Sequence, residues 1–379
     1  MNSSAMPQRC RALRPVRVPA HLLFLLALLA CGAARGRAQA AVEPPPAAPR
    51  VTVLPVVGSA PETGMQYGAT ILRVFGLGPA ETTRSSQQQA YVIYTAKSQV
   101  RAFLQQDRWS RGNDKRVRAR AEYQRFPLPF FGMGDATLAS DEEWYSSSGA
   151  SFQLLAQRRI RGPHYAGAAI RWIEAKTGGF APGGALASGA VPGSEGGRVV
   201  QAQAFVSRDS RDHVLSARNG HFVQLTASTA TSAIGSAYDF GRYALDARRY
   251  WSLGPRRHVI AAQLLAEATS GTVPFDQMVL VGSDTALRGY TRGRYRDLNG
   301  ASMQREYRSP FVHRVGMVAF AGGGVIAPTL TSLRESRFLP TYGLGLRVLL
   351  VPAQRVTIRV DYGRGKGGGG LYIALNEAF

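Results

Sequence analysis

The sequence predicts an all-β protein, a transmembrane antiparallel β-barrel of about sixteen strands. Three observations predict this fold: an export signal at the N-terminus, a series of short segments in which apolar and polar residues alternate, and a final segment that ends on an aromatic residue. After the export signal, no stretch is apolar over the roughly 20 residues that a membrane-spanning helix needs. Strands are therefore expected to cross the membrane.

The export signal occupies residues 1–40. An arginine-rich start precedes the apolar run 20–30, and the small-residue site Ala38-Gln39-Ala40 follows it. This order is typical of a secretory signal peptide that is removed during export. Two alternatives stay open: an uncleaved N-terminal anchor, and lipoprotein processing that would leave Cys31 lipidated.

Cleavage after Ala40 is expected to leave one folded domain. Residues 41–50 form a Pro-rich periplasmic tether, and residues 51–379 form the outer-membrane β-barrel domain. Both cysteines, Cys10 and Cys31, lie in the leader, so disulfides and thiolate chemistry are not expected in the mature chain. The formal charge of +22 comes from arginines spread along the chain. This spread argues against nucleic acid and favours anionic lipids and a polar lumen as counterparts.

Alternation with a period of two identifies the strands. Between Arg116 and Gln124 the even-numbered residues are charged or polar, while the odd-numbered residues are Val, Ala, Ala and Tyr. A soluble sandwich could show the same alternation. Export, the even spacing and aromatic residues near strand ends favour a lipid-facing wall. The candidate strands are 51–58, 65–75, 88–96, 99–108, 115–125, 141–158, 164–176, 197–208, 220–232, 237–252, 257–270, 301–310, 314–326, 339–350, 355–363 and 370–379.

An even number of strands would return the C-terminus to the periplasmic side where the chain starts. Long connections, such as 126–141 and 271–300, follow odd-numbered strands, whereas most connections after even-numbered strands are tight. Long outer loops and short periplasmic turns are the usual asymmetry of such barrels.

The final segment alternates up to the last residue. It is predicted to place Leu371, Ile373, Leu375 and Phe379 on one face, together with Glu377. Such an ending is typical of the signal that the outer-membrane assembly machinery reads. That machinery is therefore an expected partner for the insertion of this chain.

The longest connection, between the eleventh and twelfth strands, contains Leu287-Arg288-Gly289-Tyr290. Here the sequence resembles the BamA/TamA family of outer-membrane proteins, also called the bacterial surface antigen family, whose sixth extracellular loop carries an (L/V)-R-G-(F/Y) motif. Other stretches similar to family landmarks occur, in order, at 54–58, 61–64, 131–134, 208–212, 304–308 and 359–362. The resemblance implies a long extracellular loop folded into the lumen.

The arginine of this motif is predicted to latch the loop to the barrel wall. A guanidinium can bind a carboxylate through two parallel hydrogen bonds, and Glu306 is the expected partner. The family usually has a second acid on the next strand, where this sequence has Ala321 after Phe320. Asp361 is considered as a substitute for this second acid. The alternative to a latch is that Arg288 lies in a surface loop and is hydrogen-bonded to water.

The sequence predicts no catalytic residues, cofactor or metal. The glycine-rich run 363–370 resembles a phosphate loop but lacks a following helix and a Ser or Thr after Lys366, so it is predicted to be a flexible hairpin tip. The mature histidines lack metal-ligand spacing. His213 beside Asp212 is the nearest catalytic-like pair, and it falls in an inner turn.

Three functions remain open. The resemblance implies a barrel in the outer membrane that helps to insert or translocate polypeptides through a weak seam between its first and last strands. Family members carry periplasmic POTRA domains, whereas this mature chain is expected to have only the tether, so a separately encoded periplasmic partner or polypeptide client is expected. The alternatives are a passive anion-favouring pore and a structural surface antigen. Outer-membrane lipids and lipopolysaccharide are the expected surroundings.

Overall fold

The computed structural model of the protein describes residues 50–79, 82–214, 216–255, 258–351 and 355–379. The predicted signal peptide (1–40), the tether up to residue 49 and the lipidation alternative at Cys31 lie outside these residues. The described strands are β1 (Arg50–Ala60), β2 (Gly64–Phe75), β3 (Ser86–Thr95), β4 (Val100–Trp109), β5 (Lys115–Phe130), β6 (Glu143–Arg161), β7 (His164–Gly178), β8 (Gly196–Asp209), β9 (Gly220–Ala230), β10 (Phe240–Leu253), β11 (His258–Gly271), β12 (Val279–Val281), β13 (Tyr295–Asp297), β14 (Asn299–Arg308), β15 (Val315–Ala327), β16 (Leu339–Val351), β17 (Val356–Gly365) and β18 (Gly368–Leu375). Short 3-10 helices occur at Arg111–Asn113, Ala139–Asp141, Ser232–Ile234, Phe275–Gln277 and Ser332–Arg334.

Sixteen of these strands close into one antiparallel barrel. They follow chain order from β1 to β11 and from β14 to β18, and β18 lies beside β1. Each coincides with a segment proposed from sequence periodicity, so the predicted fold class and strand number are confirmed. The remaining pair, β12 and β13, forms a small sheet inside the long connection. These two strands were missed because three residues are too few to show alternation.

No helix in the described ranges is long and apolar enough to cross a membrane.

The alternation sorts side chains onto the two faces of the wall. On β5, Val117 and Tyr123 are exposed on the outer surface. Arg116 and Arg120 face the lumen, where they bind Asp107 and Glu122. This arrangement puts apolar surface against lipid and charge inside, as a membrane barrel requires.

The two ends of the barrel differ. We use "long-loop end" for the end that carries connections 131–142, 179–195, 272–298 and 328–338, and "short-turn end" for the opposite end, which carries the β6–β7 turn. Two longer connections, 76–85 and 210–219, also lie at the short-turn end. In the second, Ala217 is buried against Tyr250 of β10. The loop asymmetry is thus present, with two longer connections on the side of the short turns.

The last strand ends earlier than predicted. β18 stops at Leu375, and Asn376 adopts the left-handed region with a φ of 64°. Phe379 is consequently buried beside Tyr250, with ring centroids 6.5 Å apart, while Leu371 is exposed on the outer face. The expectation that Leu371, Ile373, Leu375, Glu377 and Phe379 share one face is therefore wrong for Glu377, which binds Arg347 inside the barrel, and for Phe379, because the reversal at Asn376 interrupts the period of two.

Candidate functional site

The connection between β11 and β14 brings the Leu287-Arg288-Gly289-Tyr290 motif against the inner wall of the barrel. The small β12–β13 sheet ties together the two ends of the segment that contains the motif. Leu287 and Tyr290 are buried with residues of that sheet and of the wall, in the cluster Val281, Leu287, Tyr290, Tyr295, Ile326 and Leu339. Apolar packing thus fixes both flanks of Arg288.

Arg288 joins two distant strands of the wall. Its Nη2 donates to Oε1 of Glu306 on β14, and its Nη1 donates to Oδ2 of Asp361 on β17. The guanidinium carbon also lies 3.7 Å from the ring centroid of Phe320 on β15. Arg288, Glu306 and Asp361 have fully buried side chains, so the arginine is not a solvent-bonded surface residue. Asp361 supplies the second carboxylate that Ala321 does not provide.

This ion pair belongs to a larger network that sequence reasoning did not assemble. The lumen-wall network consists of Arg288, Arg308, Arg347, Arg359, Asp284, Glu306, Asp361 and Glu377. Arg347 is bonded to Asp361 at 2.5 Å and to Glu377 of the C-terminal segment at 2.8 Å. Arg359 binds Asp284 of the loop at 2.8 Å. Four cations and four carboxylates balance, which satisfies the need of buried charges for partners.

Two glycines of β17 allow the loop backbone to lie directly on the wall. A Cβ at Gly363 would lie 2.6 Å from the carbonyl carbon of Arg288, and a Cβ at Gly365 would lie 2.5 Å from the ring of Tyr290. Both glycines come from the run predicted to be a hairpin tip. In the structure, only Lys366 and Gly367 separate β17 from β18, so part of that run forms the docking surface for the motif.

Hydroxyl groups fasten the motif to β16 and β18. The hydroxyl of Tyr372 on β18 accepts the N–H of Gly289 at 2.9 Å and donates to the carbonyl of Tyr290 at 3.1 Å. Thr341 on β16 donates to the carbonyl of Arg288. Neither residue was singled out from the sequence. The sequence feature that could have identified them is the inward-facing position that each residue occupies in its alternating strand.

The outer part of the same loop closes over the lumen. Phe275 packs with residues from the long-loop ends of β5 and β6 and from connection 179–195, in the cluster Phe130, Tyr145, Leu186, Val191 and Phe275. Arg296 donates to the carbonyl of Phe275 at 3.2 Å. Asp276 lies in this cap, where desolvation raises the pKa of its carboxyl group because the charged form loses water.

The seam between β1 and β18 contrasts with the rest of the barrel. Ser59 and Ile373 form the one paired position within the described strands, whereas the least-paired of the other neighbouring strands share eight. In this register Val57 would face Leu375, the last residue of β18. The part of β1 from Arg50 to Val56 therefore extends past the end of β18 without a partner strand on that side.

Among the residues that the structure describes, those considered above for catalysis and metal binding do not come together in a site. In the described part of the chain, no group of His, Cys, Asp and Glu could hold a metal ion. Asp212 accepts the backbone N–H groups of Arg218 and Asn219, and His213 Nδ1 accepts the N–H of Ser216. These contacts order connection 210–219.

The barrel resembles BamA from Haemophilus ducreyi lacking POTRA domains 1–3, with a TM-score of 0.57 and 13% identity over 87% of this chain and 70% of that chain. It also resembles CdiB from Acinetobacter baumannii (TM-score 0.56, 11% identity, 87% of this chain and 65% of that chain) and CdiB from Escherichia coli (0.61, 9%, 87% and 63%). The chain thus spans less than two thirds of either CdiB structure, and at these identities the likeness shows the fold alone.

Sequence comparison identifies the family. No curated protein is significantly similar to the chain. The model of the Omp85 superfamily domain matches residues 107–364, which is more than half of the sequence and includes the motif of the lumenal loop. The chain therefore belongs to the Omp85 superfamily.

Proposed function

We propose that this barrel assists the insertion or export of polypeptides, with the edge of β1 as the template for an incoming strand. Its superfamily makes it an integral outer-membrane protein related to insertion and secretion, and not an enzyme. The observation that carries the proposal is the seam, where Ser59 and Ile373 alone are paired.

An unpaired strand edge favours the addition of another strand. Its free N–H and C=O groups are a template for pairing, and each such group costs several kcal/mol when it faces hydrocarbon. Along the unpaired part of β1, Val51 and Val53 point outward and are exposed. A strand added beside them would satisfy the backbone and continue the apolar outer surface.

The last strand can keep its place while the seam opens. β18 pairs with β17 from Ile358 to Gly365, and Tyr372 bonds it to the lumenal loop. Separation of β1 from β18 would therefore break one paired position and leave the remaining ladders intact. We further propose that the short-turn end and both termini face the periplasm, where a separately encoded partner or the client itself would approach.

A disulfide across the seam tests this function. We expect the purified chain in liposomes to accelerate the folding of a small urea-denatured outer-membrane barrel. In the double variant Ser59→Cys and Ile373→Cys, oxidation should abolish the acceleration and a reductant should restore it. Each single cysteine variant is the control. Equal acceleration by the oxidised and reduced double variants would contradict the proposal, as would no acceleration by the wild type.

One observation favours the passive anion-favouring pore as a second candidate. Arg171 faces the lumen between Gln153 and Gln201 in register, and it has no hydrogen bond to any part of the chain that the structure describes. Such a cation would attract anions. Anion-selective conductance in planar bilayers that increases on deletion of 282–297 would support the pore. Absence of both conductance and client folding would favour the structural surface antigen.

A further inference from the structure

Outward-pointing arginines, all exposed except the half-buried Arg249, follow the lipid-facing surface near the short-turn end. They lie on alternate strands from β2 to β10 and on β14. Each is within about four residues of the short-turn end of its strand. We call them the arginine belt: Arg73, Arg108, Arg158, Arg208, Arg249 and Arg305. Ile71, Val206 and Met303, two positions before three of them, are exposed on the same outer face.

Strand register brings members of the belt to the same level. Arg249 pairs with Ala262 on β11, and Ala262 pairs with Arg305 on β14, so these two arginines are two strands apart in one row. Arg249 also pairs with His221 on β9, and its Nη1 lies 3.0 Å from His221 Nδ1. Arg249 and Arg305 thus form one row of the belt together with His221.

The carboxylates at this end point the other way. Asp107, Asp209 and Glu306 alternate to the lumen, where each binds an arginine. Asp114, exposed in the β4–β5 turn, lies 3.7 Å from the inward-facing Arg159. Among the described strand residues, the outer face near the belt carries no Asp or Glu. The outer face at the long-loop end differs, since Arg198 there binds Glu174 at 2.7 Å.

Aromatic side chains place the belt at the depth of the head groups. The guanidinium of Arg249 lies 5.5 Å from the ring of Trp251, and that of Arg73 lies 5.4 Å from the ring of Phe75. Aromatic girdles mark the membrane interface, where an outward arginine costs only about 0 to 1 kcal/mol. The long stem of arginine allows its charge to reach the polar layer. A guanidinium there can bind a phosphate through two hydrogen bonds.

We propose that the arginine belt binds the phosphate groups of anionic phospholipids in the leaflet that surrounds the short-turn end. Charge complementarity supports this partner, because the belt is cationic without acidic neighbours. The belt stops at the seam: the outward residues near this end of β16, β17, β18 and β1 include Val348, Ile358, Leu375 and Val51. Bound head groups would hold most of the circumference and leave the seam unoccupied.

The test measures lipid retention and does not depend on client folding. The full chain is reconstituted in phosphatidylcholine nanodiscs with a minor fraction of phosphatidylglycerol, and native mass spectrometry reports the lipids that remain bound. Replacement of Arg208, Arg249 and Arg305 by Gln should reduce phosphatidylglycerol retention by about fivefold per arginine. The matched control replaces Arg125, Lys176 and Arg198 by Gln at the long-loop end, and it should retain the lipid.

Two further arms keep the result unambiguous. Replacement of Arg208, Arg249 and Arg305 by Lys preserves the charge and should preserve most of the retention, while heat-modifiable migration verifies that each variant is folded. The same nanodiscs with lipid A in place of phosphatidylglycerol identify the leaflet. Unchanged phosphatidylglycerol retention in the glutamine variant would overturn the proposal. So would a loss confined to lipid A.

Discussion

Two regions of the barrel wall are held together in different ways. On the lumen side, the loop motif meets the wall through fully buried side chains of Arg288, Glu306 and Asp361. At the seam, closure depends on one paired position between Ser59 and Ile373. The loop is thus tied to the wall by buried ion pairs, whereas the ladder that completes the circle is nearly unpaired.

Removal of the central arginine should have the largest effect. Arg288→Ala leaves Glu306 and Asp361 without one of their cations, and loss of one partner from a buried ion pair costs about 3 to 5 kcal/mol. We expect a lower yield of heat-modifiable folded barrel on semi-native gels. Arg292→Ala, an exposed position in the same loop, is the control. An unchanged yield for Arg288→Ala would show that the loop is not a latch.

A methyl group on the docking surface should separate loop from wall without any change in charge. Gly363→Ala places a Cβ 2.6 Å from the backbone of Arg288, and such overpacking costs about 1 to 3 kcal/mol. The urea midpoint of the folded barrel in lipid should fall. Gly368→Ala, which would meet no atom within 4 Å, should leave it nearly unchanged. Equal midpoints for the two variants would argue against close contact at Gly363.

The link between the two regions is the hydroxyl of Tyr372. Tyr372→Phe removes the acceptor of Gly289 and the donor to Tyr290, at a cost of about 1 kcal/mol per hydrogen bond. Added to the Ser59→Cys and Ile373→Cys pair, it should slow disulfide formation because β18 is held less firmly. Tyr342→Phe, on the outer face of β16, should not. Equal rates would show that the loop does not position the seam.

The smallest expected effect is a pH dependence of loop docking. Because burial raises the pKa of Asp276 in the folded loop, docking is strongest below the ordinary aspartate pKa. It weakens as pH rises from that value through the raised one. Hydrogen exchange of amides 272–298, corrected for intrinsic rates, should show this slope in the wild type and lose it in Asp276→Asn. A slope that persists in the variant would assign the effect to another group.

Periodicity predicted every strand of the wall, because lipid outside and a polar lumen inside impose the same alternation on each one. It failed at Asn376, where a single left-handed residue turns Phe379 inward. The motif located Arg288 and its two carboxylates. The roles of Gly363 and Gly365 could not be predicted, because what matters there is a missing side chain opposite a loop distant in sequence.

The charge balance of the lumen-wall network has a consequence for ionic strength. At physiological salt, electrostatic fields between exposed charges decay over about 8 Å, so the arginine belt should release anionic lipid as salt rises. The lumen-wall network is largely buried, and its four arginines are matched by four carboxylates, so mobile ions have little access to it and little net charge to screen. Salt should therefore loosen the hold of the barrel on its leaflet while the loop stays docked.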